Sequence, residues 1–356
     1  MTKRNILLTV AGIVVLFGLA CYAQLELDSY FRRVINLCLI YAIIGLSMNL
    51  TNGFAGQFSL GQAGFMAIGA YVVGIFTVPV GLRENVFYAV PMNPLIADIE
   101  LPLWLALIVG GLLSSLVAFL IGTPVLRLRG DYLAIATLGF SEIIRIVITN
   151  AQSFTNGALG IKDIPALNDV RYIFIATAIT FVFVTCLINS SYGRAFKAIR
   201  EDEIAAEAMG VSLFRHKCLA FMLSAFFAGI GGGLYATLLG TVDPKNFLFT
   251  LTYNFLLIIV LGGMGSITGS MLGSIIVTAG LEFLRVFDEP LTLFGTAVPL
   301  FRPGFRMVIF SILLMACVLF WRKGIMGTDE FSWDKFVAFC KNPFKYMMRK
   351  GAKNNG

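Results

Sequence analysis

Residues 190–217 read SSYGRAFKAIREDEIAAEAMGVSLFRHK and lie between two long apolar runs. Nine charged side chains fall in this stretch besides His216: Arg194, Lys197, Arg200, Glu201, Asp202, Glu203, Glu207, Arg215 and Lys217. Only 13% of the whole chain is charged, so the cluster is a water-facing island in an oily sequence. Its middle predicts a short amphipathic helix, because Ala205, Ala206, Ala208 and Met209 favour helix and Gly210 offers a stop. Such an element calls for a partner on the aqueous side.

The rest of the sequence calls for lipid. Hydrophobic residues make up 58% of the chain and the mean hydropathy is +0.85. Several uncharged runs reach about 18 residues or more, enough to cross about 30 Å of hydrocarbon at 1.5 Å per residue. The expectation is an all-α polytopic membrane protein. Spans fall near 6–23, 34–51, 58–80, 101–122, 131–150, 171–189, 217–240, 248–262, 264–287 and 304–321, about ten in all. The opening MTKR and apolar run from Ile6 to Ala23 resemble a signal peptide. The run is long, however, and no small-x-small cleavage site precedes LELDS, so it reads as a retained first helix. Residues 1–323 form the membrane domain, with 190–217 as its cytoplasmic loop, and 324–356 form a basic, aromatic cytoplasmic tail. That tail suits either an amphipathic helix on the inner surface or a partly disordered end.

The net charge of +7 fits membrane topology better than nucleic acid, since no basic face with interleaved aromatics forms a groove. With the N-terminus inside, Lys3, Arg4, Arg127, Arg129, the 190–217 block, Arg322, Lys323 and the tail all fall on the cytoplasmic side. Arg32, Arg33, Arg83, Lys162, Lys245 and Arg302 fall outside, so the asymmetry is real but imperfect. Both termini inside is the favoured topology, in a bacterial-type inner membrane. The cysteines Cys21, Cys38, Cys186, Cys218, Cys317 and Cys340 form no C-x-x-C and read as small packing residues.

No catalytic constellation can be assembled. His216 is the one histidine, which leaves neither a His-based metal site nor a Ser-His-Asp triad. The sequence holds no G-x-x-x-x-G-K-[ST], so ATP, if it powers this protein, is bound by another subunit. Intramembrane charges come as pairs: Glu142 with Arg145, and Glu282 with Arg285, each three apart and near the outer helix ends. They read as snorkelling ion pairs or as parts of an outer gate. Asn49, Asn52, Gln57, Ser59 and Gln62 form the densest uncharged polar cluster. Helix-to-helix hydrogen bonding is their default role, and lining a path for a zwitterion or small amide is the functional alternative. Two uncharged inner hairpins, 52–65 and 262–273, are rich in glycine, and Gly53, Gly56 and Gly64 recur with the spacing of Gly262, Gly265 and Gly273. Gly262, Gly263 and Gly265 join the candidate path residues, either as close-packing positions or as breaks in discontinuous helices.

Four runs in order carry a resemblance: LRLRGDYLAIATLGFSEIIRIVITN, NGALGIKDIP, GRAFKAIREDEIAAEAMGV and VLGGMGSITGSMLGS. Together they resemble the LivM-type permeases, the membrane subunits of ATP-binding-cassette importers for branched-chain amino acids, over about residues 36–327. The resemblance implies a fold of around ten helices similar to vitamin B12-type importers. It implies a homologous second permease, two ATPase subunits that bind ATP and magnesium, and an extracytoplasmic binding protein. It also implies that this chain is a transporter subunit without enzymatic activity of its own. The block 190–217 is similar to the superfamily's E-A-A-x-x-x-G loop, with Ala205, Ala206 and Gly210 in place but Ile204 at the Glu position and Glu203 one earlier. Arg200, Glu201, Asp202, Glu203, Ala205, Ala206, Glu207 and Gly210 are therefore the candidate ATPase-coupling residues. Related permeases move urea, short amides or other amino acids. A secondary transporter is the rival class, but it wants an unpaired coupling carboxylate near a span's midpoint, and none is evident.

Overall fold

The computed structural model describes residues 3–128 and 130–284, with 292–293, 296–297, 308–309, 311–312, 315, 319, 324–327 and 330. The described residues are almost wholly helical. The exceptions in β pairing are a two-rung antiparallel pair, Thr292–Leu293 with Thr296–Ala297, and a single bridge between Ile161 and Val242.

Helix α1 (Lys3–Glu26) is followed by α2 (Ser29–Asn49), which runs on through a π-helical turn at Leu50–Phe54. Next come α3 (Gln62–Thr77), α4 (Val80–Val86), α5 (Pro94–Ala97), α6 (Leu103–Val125), α7 (Asp131–Asn150) and α8 (Gln152–Thr155). Helix α9 (Val170–Asn189) leads into the charged block, which folds as α10 (Ser191–Glu201) and α11 (Glu203–Ala208). Helices α12 (Leu213–Leu239), α13 (Phe249–Gly262) and α14 (Ile267–Phe283) complete the described bundle.

Five of these are long and apolar enough to cross a membrane: α2 with its π turn, α6, α7, α9 and α12. The pair α3 and α4, bent by 119°, makes a sixth if counted as one span. The part of α1 from Ala11 to Glu26, α13 and α14 are apolar but shorter. The span expected at 304–321 falls largely outside the described residues, as does the tail beyond Glu330.

Two span boundaries differ from those expected, for the same reason. The run 58–80 becomes helical only at Gln62, because Asn52 holds Ser59 by paired side-chain bonds and Gly56 sits at φ +66°. The run 264–287 becomes helical only at Ile267, after Gly263 at φ +118° and Gly265 at φ +88°. Hydropathy sees neither constraint.

Helix α12 is the mast of the bundle, packing on α2, α3, α6 and α10. Its glycines make this possible, since a side chain on Gly232 would run into the Met66 carbonyl and one on Gly69 into that of Gly229. Hydroxyls tie the apolar helices at a few points. Ser114 donates to the Phe65 carbonyl (3.0 Å), Thr177 to Leu39 (3.2 Å) and Ser224 to Ser47 (2.7 Å). Large side chains fill what remains, with Phe221, Phe247, Phe255, Ile43, Ile44 and Met66 fully enclosed.

Loop contacts sort the connections onto two ends. At one end Leu101 bonds Phe76, Asn93 bonds Ser153, Asn156 bonds Val86, Ile164 bonds Gly240 and Val170 bonds Gln24. At the other end, residues 50–61, α10, α11 and 263–266 meet. This is the two-sided arrangement expected from the alternation of spans. Arg83, an exception to the charge asymmetry, is buried at the first end and donates to the carbonyls of Val78, Ile96, Ala97 and Ile99. Its charge is absorbed by the loop it organises, so it carries little weight as a topological signal. Asp169, which caps α9, is held below the usual carboxylate range by its hydrogen bonds with Arg171.

Glycine packing on α12 makes a direct prediction. Gly232→Val must force apart α12 and α3 and is expected to cost about 1–3 kcal/mol. The exposed Gly139, around which a Cβ meets nothing, accepts Ala with no loss. Thermal unfolding midpoints of the two variants in detergent check the contrast.

Candidate functional site

The charged block forms two helices with a bend between them. In α10 the buried residues Gly193, Phe196 and Ile199 recur every third position, while Tyr192, Arg194, Lys197 and Ala198 face outward. Asp202 then breaks the chain into extended backbone and caps α11, its carboxylate accepting from the amides of Ile204 (2.8 Å) and Ala205 (3.0 Å). At the far end the Gly210 amide bonds the Glu207 carbonyl (2.9 Å) and the Val211 amide bonds that of Ala206 (3.1 Å). With Gly210 at φ +83°, this is a Schellman stop. The space around Gly210 is open, so backbone conformation alone explains the glycine.

The expected coupling residues divide by orientation. Ala206 is buried, whereas Glu201, Asp202, Ala205, Glu207 and Gly210 are exposed. Ile204 and Met209, 75% and 85% exposed, give the charged block an apolar tip at α11. Glu203 turns inward and accepts from the Lys217 ammonium at 2.6 Å, fixing α11 to the first turns of α12.

Arg200 makes the connection to the bundle. Its guanidinium grips Glu201 (2.5 Å) and donates to the Gly53 carbonyl (3.1 Å), inside the π turn that ends α2. A Cβ on Gly56 would stand 3.0 Å from Arg200, and one on Gly265 would stand 2.8 Å from its Nη1. The two glycine-rich turns and α10 thus converge on one side chain. Lys197, one turn earlier, lies 5.9 Å above the Phe54 ring. Beneath them Phe196 joins Leu46, Leu50, Phe54, Val184, Ile188, Ala220 and Ile267 in a small separate core that unites α2, α9, α10, α12 and α14.

The polar cluster supplies the second tie. Asn49, fully buried, donates to the Ser266 carbonyl (2.8 Å) and the Ser270 hydroxyl (2.7 Å) and accepts from the Gly265 amide (2.9 Å). Gln62 bonds Ser47 and lies 3.5 Å from the Ser224 hydroxyl. The Asn52 side chain accepts from the Ser59 amide and donates to its carbonyl, closing the loop 52–59, while the Ser59 hydroxyl accepts from the Gly61 amide. Asn49 and Gln62 tie helices together, and Asn52 and Ser59 hold the loop. Gln57 differs, since both of its amide atoms are buried and lack a hydrogen-bond partner among the described residues. The glycine segments are turns between helices, with Gly262 ending α13, Gly263 and Gly265 in the turn, and Gly262 packed on Gly269.

Of the two Glu–Arg pairs, Glu142 and Arg145 bond at 2.8 Å and are each about one quarter exposed. Glu282 is half-buried near the end of α14, and Arg285 lies outside the described residues. Among the described residues no three His, Cys, Asp or Glu side chains gather to hold a metal ion.

Sequence reasoning missed one participant. Glu330 accepts from the Ile267 amide (2.7 Å) and the Thr268 hydroxyl (3.0 Å), capping α14, while the amides of Ile325 and Met326 bond the carbonyls of Leu261 and Gly262. Residues 324–327 and Glu330 therefore belong structurally to the glycine turn. Only its acid, placed after a Gly-rich stop, offered a signal.

Residues 30–318 match the model of the family described as branched-chain amino acid transport system / permease component. The high-affinity branched-chain amino acid transport permease LivM of Escherichia coli is 36% identical over 72% of this chain, and the Salmonella typhimurium LivM is 35% identical over the same share. The chain covers 64% of the length of each. A Bacillus subtilis guanosine ABC transporter permease, NupQ, is 24% identical over 74% of this chain and 83% of its own. No solved structure matches.

The Asn49 bonds predict a measurable cost. Asn49→Ala leaves the Gly265 amide and the Ser270 hydroxyl without their buried partner and is expected to lower stability by about 1–3 kcal/mol. Asn49→Asp does not rescue it, because the amide donor to Ser266 and Ser270 is gone. Thermal unfolding of the purified protein reads both.

Proposed function

The chain belongs to the family of branched-chain amino acid transport permease components, and from that premise we propose that it is the membrane-spanning subunit of an ATP-binding-cassette importer for leucine, isoleucine and valine. It works by alternating access beside a homologous permease, with two ATPase subunits on the α10–α11 side and a binding protein on the opposite side. ATP and magnesium belong to the ATPase subunits, and this subunit catalyses no reaction of its own.

The observation that carries the reading is the lodging of Arg200 between the two glycine turns. A motor that shifts α11 moves α12 through the Glu203–Lys217 pair and moves α10 along the chain. Through Arg200 that displacement reaches the ends of α2 and α14, the helices tied by Asn49. The apolar tip of Ile204 and Met209 gives an ATPase groove something to hold, in the manner of a helix laid into a groove. Gln57, with a buried amide free of partners among the described residues, is the side chain of the original cluster that remains suited to a translocation path.

A second reading keeps the mechanism and changes the cargo. The relatives named for guanosine and nucleosides support it, and the binding protein filters what arrives.

ATP-driven uptake into vesicles holding the complete complex tests both readings, with labelled leucine competed by urea, a polar amino acid and guanosine. Leucine uptake that only branched-chain amino acids suppress is the expected result. Arg200→Ala is expected to reduce uptake by about 5–150-fold, the range of ordinary coupling energies, while ATP hydrolysis continues. Gly210→Val, strained at its positive φ, is expected to do the same with the protein still in the membrane. Normal coupled uptake in both variants overturns the assignment of the coupling site.

A further inference from the structure

A cavity of about 830 Å³ opens between α1, α9, α10 and the start of α14. One wall is apolar, with Val15 and Leu16 from α1 facing Phe181 and Ile188 from α9. Val15 and Leu16 are 63% and 54% exposed, so this wall is continuous with the lipid-facing surface of α1. The other end is polar and carries Lys197, Arg200 and Glu330. The carboxylate of Glu330 is already committed to the amides and hydroxyl that begin α14. Among the described residues the Lys197 ammonium has only the Phe54 ring face, which leaves its three N–H donors available. On α9, Phe181 and Asn189 are separated by about 12 Å at 1.5 Å per residue, so the apolar wall begins within a few methylenes of the cationic end.

We infer that this cavity binds an anionic phospholipid of the leaflet on the α10–α11 side. Its phosphate meets Lys197 and the adjoining face of Arg200, and an acyl chain lies along Val15, Leu16, Phe181 and Ile188. Charge complementarity selects the occupant. Arg200 is already paired with Glu201 and Glu330 is engaged at the start of α14, so Lys197 is the cation that still seeks an anion, and an anion with an apolar tail fits both surfaces of the cavity. Residues 331–356, which follow Glu330 in sequence, carry Lys335, Lys341, Lys345, Arg349, Lys350 and Lys353 against Asp334. That sign is wrong for Lys197. A lipid seated here touches Arg200, so bilayer composition acts on the coupling helix at its root.

The test uses the complete complex in vesicles of phosphatidylcholine with and without phosphatidylglycerol, followed by mild detergent extraction and native mass spectrometry of retained lipid. Selective retention of phosphatidylglycerol is expected. Lys197→Gln is expected to reduce it about fivefold, the equivalent of one basic contact at a membrane surface, and Lys197→Arg to preserve it. Thr185→Trp, which fills the apolar wall, abolishes retention, and Thr185→Val does not. Equal retention of the two lipids overturns the proposal, as does displacement of phosphatidylglycerol by inorganic phosphate alone. A chain ended after residue 330 that retains many times more lipid than the full chain also overturns it, because the tail is then the natural occupant.

Discussion

Gly53 and Gly265 approach as closely as they do because neither carries a Cβ; one built on Gly53 would stand 2.5 Å from the Gly265 nitrogen. That approach brings the end of α2 against the start of α14, and everything at this end of the bundle is arranged around it. Asn49 fastens it with a buried amide, Arg200 reaches it from α10, and Glu330 satisfies the helix end it leaves exposed. In an apolar interior there is no bulk water to satisfy a stray amide, so turns of this kind persist where side chains and neighbouring backbone supply the partners, as Asn49, Arg200, Glu330 and the Ile325 and Met326 amides do here.

The charged block and the apolar bundle are thus one mechanical unit. Phe196, Glu203 and Arg200 each anchor the α10–α11 pair by a different force: burial, ion pairing and hydrogen bonding to backbone. Three unlike attachments on two short helices resist sliding in any direction. What stays outside is the apolar tip, the acids Glu201, Asp202 and Glu207, and the basic side chains of Arg194 and Lys197.

Local rules made part of this legible. The helix at 203–208 and its stop at Gly210 follow from alanine propensity and a glycine at the turn, and the structure has both. The membrane character followed from hydropathy; Asn49 and Gln62 make hydrogen bonds between helices, whereas Asn52 closes a local loop onto the Ser59 backbone. What stayed hidden was non-local. Glu203 could not be matched to Lys217, nor Arg200 to Gly53, because 147 positions separate the second pair and no periodicity links them. The late starts of α3 and α14 were hidden too, since a hydropathy window weighs side chains and is blind to the positive φ of Gly56, Gly263 and Gly265.

The strap formed by residues 324–327 and Glu330 also has a place in time. The carbonyls of Leu261 and Gly262 and the amide of Ile267 find their partners only in residues made much later, Glu330 following Ile267 by 63 positions. At 5–20 residues per second that is an interval of roughly 3–13 s during which the ribosome has released the α13–α14 hairpin but not its fastening. Throughout that interval the turn facing Gly53 lacks its last hydrogen bonds. Synthesis of the C-terminal segment, rather than insertion of α14, is therefore the step at which this end of the bundle sets.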